Sequence, residues 1–395
     1  MARKVGVKKP AGTKAAVKKA GAKKGASRTV ALKKAAARKP SAGKAAAPIP
    51  VGLVGVTGYT GMELARILCG HPGLHLVRAT SRSEAGKRLS AIYPFLRGHR
   101  LGDVDIVDSD PADLAKSCTL VFLAVPHKTA MDMAAHLLDA GLKVVDLSAD
   151  FRLKDPGVYE AWYATVHTQT GHLTRAAYGL PELYRDAVRK ARLTANPGCY
   201  PTSAVLGLYP ALAEGLVQTD DIVIDAKSGT SGAGRKPGLG TLFCEVHDSF
   251  RAYNLGKHRH TPEIEQELSR IAGRGIAVSF STHLVPIDRG ILSTIYTRLT
   301  AQRTAEEIRA VYKRYYADEP FVRVLPQGVL PETRWVRGSM YCDIGLVVDP
   351  RTGRLIILSA IDNLCRGASG QAVANANLML GLPEGLGLSL APLMP

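Results

Sequence analysis

The stretch that most limits what this chain can become is Val51-Gly-Leu-Val-Gly-Val56 followed by Thr57-Gly58-Tyr59-Thr60-Gly61. Its first six residues suit a buried strand, and residues 62–69, with Leu64, Ile67 and Leu68 at helical spacing, suit a helix. Between them Gly55, Gly58 and Gly61 permit a tight turn and let the free N–H groups of the helix start approach an anion. Strand, glycine turn and helix in that order form the usual cradle for a dinucleotide pyrophosphate. Gly55, Thr57, Gly58, Tyr59, Thr60 and Gly61 are therefore the expected cofactor-binding residues.

Further strands are expected at 74–80, 119–125 and 143–147, with a helix over 129–140 between the last two. Such alternation implies α/β architecture, an N-terminal doubly wound parallel sheet. An NAD site usually carries Asp or Glu at the end of its second strand. Here Thr80-Ser81-Arg82-Ser83 offers hydroxyls and a cation suited to a 2′-phosphate, so Ser81 and Arg82 point to NADP.

Asn196-Pro-Gly-Cys-Tyr-Pro-Thr202 sets one cysteine between a short strand at 191–195 and a helix at 203–214, with Pro201 suited to a first helical turn. The N–H groups and positive dipole end of that helix would favour the thiolate of Cys199, and Gly198 leaves room for a substrate carbonyl. The competing reading is a buried cysteine serving as a small apolar residue.

Beyond Cys199 the pattern shifts to longer strands with fewer helices, at 278–285, 291–299, 341–348 and 355–360, which implies an α+β domain with a largely antiparallel sheet. Ser228-Gly-Thr-Ser-Gly-Ala-Gly-Arg235 reads either as a loop that brings Ser231 and Gly232 against a cofactor or as a plain flexible turn. In His258-Arg-His-Thr-Pro262, Thr261 is the expected N-cap and Pro262 the first helical residue, leaving His258 and His260 just outside a helix. No third ligand accompanies them, so acid–base work is expected and no metal site. Ser148 and Arg152, in Asp146-Leu-Ser-Ala-Asp-Phe-Arg152 at the carboxyl end of a strand, are candidate substrate ligands, as is Arg235. Arg152 reads equally well as a member of an ion pair. His127 is expected to be a loop or helix-start residue rather than a catalyst.

Charge separates the chain into two parts. Residues 1–47 hold 12 Lys and 3 Arg without an acid, which is 15 of the 18 net positive charges. This Lys/Ala-rich segment resembles a linker-histone tail in composition and is expected to be disordered, since it cannot bury enough apolar surface to fold. It reads as a solvated extension, as a polyanion-binding or nucleic-acid-binding arm, or as a transit peptide, although transit peptides favour Arg and Ser. Six scattered cysteines without a CxxC pair imply reduced thiols and a cytoplasmic setting, and no apolar run is long enough to span a membrane.

Six motifs in order carry a resemblance: 55–61, 146–152, 196–202, 228–234, Tyr253-Asn254 with His258-Arg-His260, and Gly367-Ala-Ser-Gly-Gln-Ala372. From about residue 50 to 382 the chain resembles the N-acetyl-gamma-glutamyl-phosphate reductases, related in fold and mechanism to aspartate-semialdehyde and glyceraldehyde-3-phosphate dehydrogenases. The resemblance implies a Rossmann-type domain over 48–198 completed by a final helix within 363–395. It also implies a catalytic, substrate and subunit-contact domain over 199–362, and a homo-oligomer. The implied reaction is NADPH-dependent reduction of N-acetylglutamyl 5-phosphate through a thioester on Cys199, in arginine biosynthesis. His258 would take the thiol proton and His260 would position the substrate, although the residues alone leave the two roles interchangeable. A related reductase acting on a carrier-linked acyl phosphate in lysine biosynthesis, and a polyanion-binding protein using the reductase body as scaffold, are the alternatives.

Overall fold

A parallel sheet begins at the first described strand. The structure, a computed structural model, describes residues 47–394; the lysine-rich segment lies outside them up to residue 46. Strands β1 (Ile49–Val54), β2 (Leu74–Thr80), β3 (Ile106–Val107), β4 (Leu120–Leu123), β5 (Lys143–Asp146), β6 (Ala177–Tyr178) and β7 (Leu193–Ala195) form one sheet in the order β3-β2-β1-β4-β5-β7-β6. Every pair in it is parallel. The central strands are buried on both faces, which is why β1, β4 and β5 read as nearly continuous apolar runs.

A second sheet holds β8 (Val223–Ser228), β9 (Arg251–Tyr253), β10 (Ser279–Leu284), β11 (Ile291–Arg298), β12 (Val322–Val324), β13 (Cys342–Asp349) and β14 (Arg354–Ile361), ordered β12-β13-β14-β11-β8-β10-β9. It is mixed and mostly antiparallel, with parallel pairing confined to β10–β8 and β12–β13. In β8, β11 and β14 fully buried residues alternate with half-buried ones, so one face packs inward and the other is only partly covered.

Two helices tie the sheets to one centre. Helix Cys199–Ala213 starts four residues after β7 ends, packs on β11 and β14, and is buried almost all round. That suits its near-absence of polar residues. Helix Gly370–Met379 is buried at all ten positions and returns to the first sheet, where it contacts β5, helix Tyr59–Cys69 and helix Pro181–Lys190. A π-helical turn, Cys365–Ser369, leads into it. Helix Thr261–Ala272 lies against helix Cys199–Ala213; its N-cap is His260, one residue earlier than the Thr-Pro pattern implies. No helix among the described residues is long and apolar enough to cross a membrane.

Candidate active site

The glycine turn follows β1 directly, and helix Tyr59–Cys69 starts behind Gly58 as N-cap. Gly61 explains the tightness of the turn: a Cβ there would sit 2.5 Å from the Gly55 carbonyl oxygen and 2.6 Å from that of Val56. Gly55 itself has φ +88° and presses on the Ala124 carbonyl of β4's exit. The main chain is thus packed to leave a concave, side-chain-free surface at the helix start. At the end of β2, Ser81 is buried and its hydroxyl meets that of Ser83 at 3.3 Å, while Arg82 is exposed. Glu84, the nearest acid, is engaged by Lys87 at 2.7 Å.

Cys199 is the first residue of its helix, which starts four residues before the expected residue 203, and it opens into a cavity of about 480 Å³. His127, Tyr163, Tyr253, His258, Arg259 and His260 line the same cavity. Long-range side-chain contacts hold the cysteine turn. Arg152 Nε donates to the Asn196 carbonyl at 2.7 Å, Glu263 Oε1 accepts from Gly198 N–H at 2.8 Å, and Asn375 Nδ2 donates to Asn196 Oδ1 at 3.0 Å. Behind the cysteine, Gly367 of the π turn is so close that a Cβ would lie 2.6 Å from Cys199 Cβ.

Electrostatics modify the sequence-based picture of the nucleophile. Burial pushes the Cys199 thiol up to about 11, against the opposing pull of the Tyr200 N–H, Arg152 and the Cys199 N–H. The helix start therefore acts in the expected direction, but desolvation outweighs it, and the free protein carries a thiol rather than a thiolate. Burial also lowers His258 to about 4, with Arg259 adding to the effect, and holds His260 well below the usual histidine range, helped by His258 and Arg152. Both rings are neutral at pH 7.

The two histidines differ in what they touch. His258 Nδ1 accepts the His260 backbone N–H at 3.1 Å, which leaves its one proton on Nε2, and its ring packs edge-on against Tyr200, Tyr253 and Phe280. His260 lies against the cysteine turn, with Nε2 2.7 Å from where a Gly198 Cβ would be, and among the described residues its buried Nδ1 has no hydrogen-bond partner.

The other expected ligands are distributed unevenly. Ser148 is buried, bonded to Asp146 at 2.8 Å and receiving the Asp150 N–H at 3.1 Å. Arg152, 5 % exposed, donates to Asn196 and Leu147 carbonyls and pairs with Glu263 at 3.3 Å, so the ion-pair reading describes its surroundings. Arg235 donates to the Thr57 carbonyl at 3.1 Å and, with Ser231 and Tyr59, lines a neighbouring cavity of about 440 Å³. Gly232 lines the cysteine cavity, so the loop after β8 borders both spaces. Among the described residues no cluster of three or more His, Cys, Asp or Glu is placed to hold a metal.

Sequence reasoning overlooked two contributors. Glu263, 1 % exposed, joins Gly198 N–H, Tyr178 OH and Arg152, yet in sequence it looks like an ordinary first-turn acid. His127, read as a loop residue, is in a loop but faces the cavity. The Ala149 N–H donates to its Nδ1 at 3.0 Å, and burial, with Arg152 and Arg259, lowers it to about 3.

A glycine-turn nucleotide sheet joined to a mixed sheet, with a cysteine at the carboxyl end of the former, defines the two-domain semialdehyde dehydrogenase class. The semialdehyde dehydrogenase NAD-binding domain family matches residues 50–191 and the semialdehyde dehydrogenase dimerisation domain family matches 199–363. Solved structures share the fold. Aspartate semialdehyde dehydrogenase II from Vibrio cholerae, complexed with ASA, has a TM-score of 0.64 at 16 % identity over 85 % of this chain and 98 % of its own. The Candida albicans aspartate semialdehyde dehydrogenase with NADP scores 0.65 at 17 % identity over 84 % and 98 %. Curated relatives are nearer in sequence. N-acetyl-gamma-glutamyl-phosphate reductase of Desulfotalea psychrophila is 52 % identical over 348 residues, 88 % of this chain and 100 % of the relative. That of Pelotomaculum thermopropionicum is 53 % identical over 347 residues, 88 % and 99 %. The chain belongs to the N-acetyl-gamma-glutamyl-phosphate reductase family.

Proposed function

We propose that this protein reduces N-acetylglutamyl 5-phosphate to N-acetylglutamate 5-semialdehyde in arginine biosynthesis, a cytoplasmic step, with Cys199 as nucleophile and NADPH as reductant. The observation that carries the reading is Cys199 at a helix start, in one cavity with His258 and His260, bordered by the loop after β8 that also lines the neighbouring cavity with Tyr59 of the glycine turn. Sγ attacks the acyl carbon, the C–O bond to phosphate breaks, and a thioester forms. NADPH, when bound, would supply the hydride to the thioester carbon; the C–S bond would then break, releasing the aldehyde and returning Cys199 as thiolate. Gly55 to Gly61 would hold its pyrophosphate and Arg82 its 2′-phosphate. The surface kept clear at Gly61 fits a backbone-bound pyrophosphate.

We assign to His260 the proton-accepting role that the sequence resemblance gave His258. His258 already uses Nδ1 as an acceptor, whereas among the described residues neither ring nitrogen of His260 is hydrogen-bonded, and its Nε2 is the one that lies against the cysteine turn. With a protonated thiol and neutral imidazole at rest, proton transfer is coupled to substrate arrival rather than completed beforehand. Arg152 and Glu263 then act by positioning the turn. The domain division is supported by the return of helix Gly370–Met379 to the first sheet. Self-association through the partly covered face of the second sheet is supported by Leu292, Tyr296, Ile356 and Leu358, half-buried apolar residues side by side on β11 and β14. Residues 1–47, on charge alone, suit a polyanion partner.

Steady-state assay of the purified protein with N-acetylglutamyl 5-phosphate and with a carrier-linked acyl phosphate tests the reading. Turnover with the free acyl phosphate is expected; turnover with the carrier-linked one alone would move the protein to the other pathway, and none with either would overturn the assignment.

A further inference from the structure

One wall of the cysteine cavity remains unused by the reaction just described. Arg259 lies between the two histidines in sequence, is exposed, and among the described residues its guanidinium makes no ion pair or side-chain hydrogen bond. It is held over the Tyr163 ring at 5.5 Å, and Tyr163 OH in turn donates to the Arg259 carbonyl at 3.3 Å. Tyr163 stacks on Tyr159 with centroids 4.8 Å apart, so the platform under the guanidinium is fixed. Next to it, His127 meets Tyr163 edge-on at 5.5 Å. Because its Nδ1 accepts the Ala149 N–H, its remaining proton is on Nε2, a donor.

Arg251, the other arginine lining the cavity, is tied through one N–H to the Gly240 carbonyl, and Arg152, outside the lining, is buried on Asn196, Leu147 and Glu263. Arg259 and His127 therefore offer a planar fork and a neutral donor on one rim, a combination suited to a carboxylate. Building on the proposed reaction, we infer that Arg259, steadied by Tyr163 and assisted by His127, binds the substrate's α-carboxylate, the anionic group at the end remote from the reacting acyl carbon. The site would then select acyl phosphates that carry that carboxylate.

The reaction run in reverse isolates this contact: aldehyde, inorganic phosphate and NADP⁺ go to acyl phosphate, NADPH and a proton. N-acetylglutamate 5-semialdehyde is compared with 4-acetamidobutanal, which lacks only the carboxylate, for the wild type, Arg259→Gln and Arg259→Lys. Loss of a charge-assisted contact predicts a fall of about 10- to 100-fold in kcat/KM for the native aldehyde in Arg259→Gln, partial retention in Arg259→Lys, and less than about 3-fold change for 4-acetamidobutanal. KM for phosphate should stay within about 2-fold. Equal losses on both aldehydes, or a selective rise in KM for phosphate, would overturn the assignment. A wild type inactive on the native aldehyde would instead count against the proposed reaction.

Discussion

The glycine turn and the cysteine turn perform similar structural tasks by opposite means. At 55–61 the chain is shaped largely by its own main chain: Gly61 presses on the Gly55 and Val56 carbonyls, and the one distant close approach, Gly55 to the Ala124 carbonyl, is also to backbone. At 196–199 the backbone is shaped by Arg152, Glu263 and Asn375, side chains 44, 65 and 179 residues from their partners. The first turn needs the absence of side chains, and the second needs particular charged and amide groups delivered from three other segments. The difference teaches that the cofactor end should tolerate distant substitution better than the cysteine end.

The largest expected effect is on chemistry alone. Cys199→Ser should lower turnover by about three orders of magnitude or more while leaving NADPH binding intact, because a hydroxyl is a far weaker nucleophile. In the wild type, alkylation of Cys199 by iodoacetamide should rise about tenfold per pH unit between roughly pH 7 and 10 and level off only near 11, since burial disfavours the thiolate. A plateau already at neutral pH would show that the helix start dominates after all.

Next comes a pair that sets the two turns against each other. Glu263→Ala leaves Arg152 without its buried partner and the Gly198 N–H without its acceptor; breaking such a pair costs about 3–5 kcal/mol. Thermal denaturation should show that loss, and Cys199 alkylation should become less dependent on pH as the pocket loosens. Gly61→Ala should cost less, about 1–3 kcal/mol by overpacking against main chain, and should weaken NADPH binding without altering thiol reactivity. If Gly61→Ala disturbed the thiol as much as Glu263→Ala does, the two turns would not be separable.

Arg82→Ala sharpens the cofactor end. Titration should show about 1.5–3 kcal/mol lost for NADPH and little for NADH, because only NADPH bears the 2′-phosphate. Equal losses would place Arg82 away from that group. The smallest effect is expected from removing residues 1–46, which lie outside both turns in sequence: turnover and melting temperature should be nearly unchanged. Any duplex-DNA binding by the full chain should disappear in the truncated protein and weaken steeply with salt. Loss of turnover on truncation would assign the segment to the enzyme.

What the sequence determined by itself is whatever short-range physics controls. Apolar runs and glycine spacing located β1, β2, β4 and β5, Leu74–Thr80 to the residue, and the Pro-Gly-Cys-Tyr-Pro run set Cys199 at a helix start. The short edge strands β3, β6, β9 and β12 were not legible, since two or three residues carry no period and pair only because a sheet edge is already present. Tertiary structure alone decided the ionisation of the site. The same cysteine at the same helix start would carry a lowered pKa if solvated, and it carries a raised one because the packing around it removes water more effectively than the helix amides compensate. Tertiary structure likewise separated residues of similar chemistry: Arg152 became an internal brace, Arg235 a contact to Thr57, and Arg259 an exposed cation on the cavity wall. Charge and residue type are properties of the chain, but which donors are consumed internally and which face a ligand depends on partners brought together only by folding.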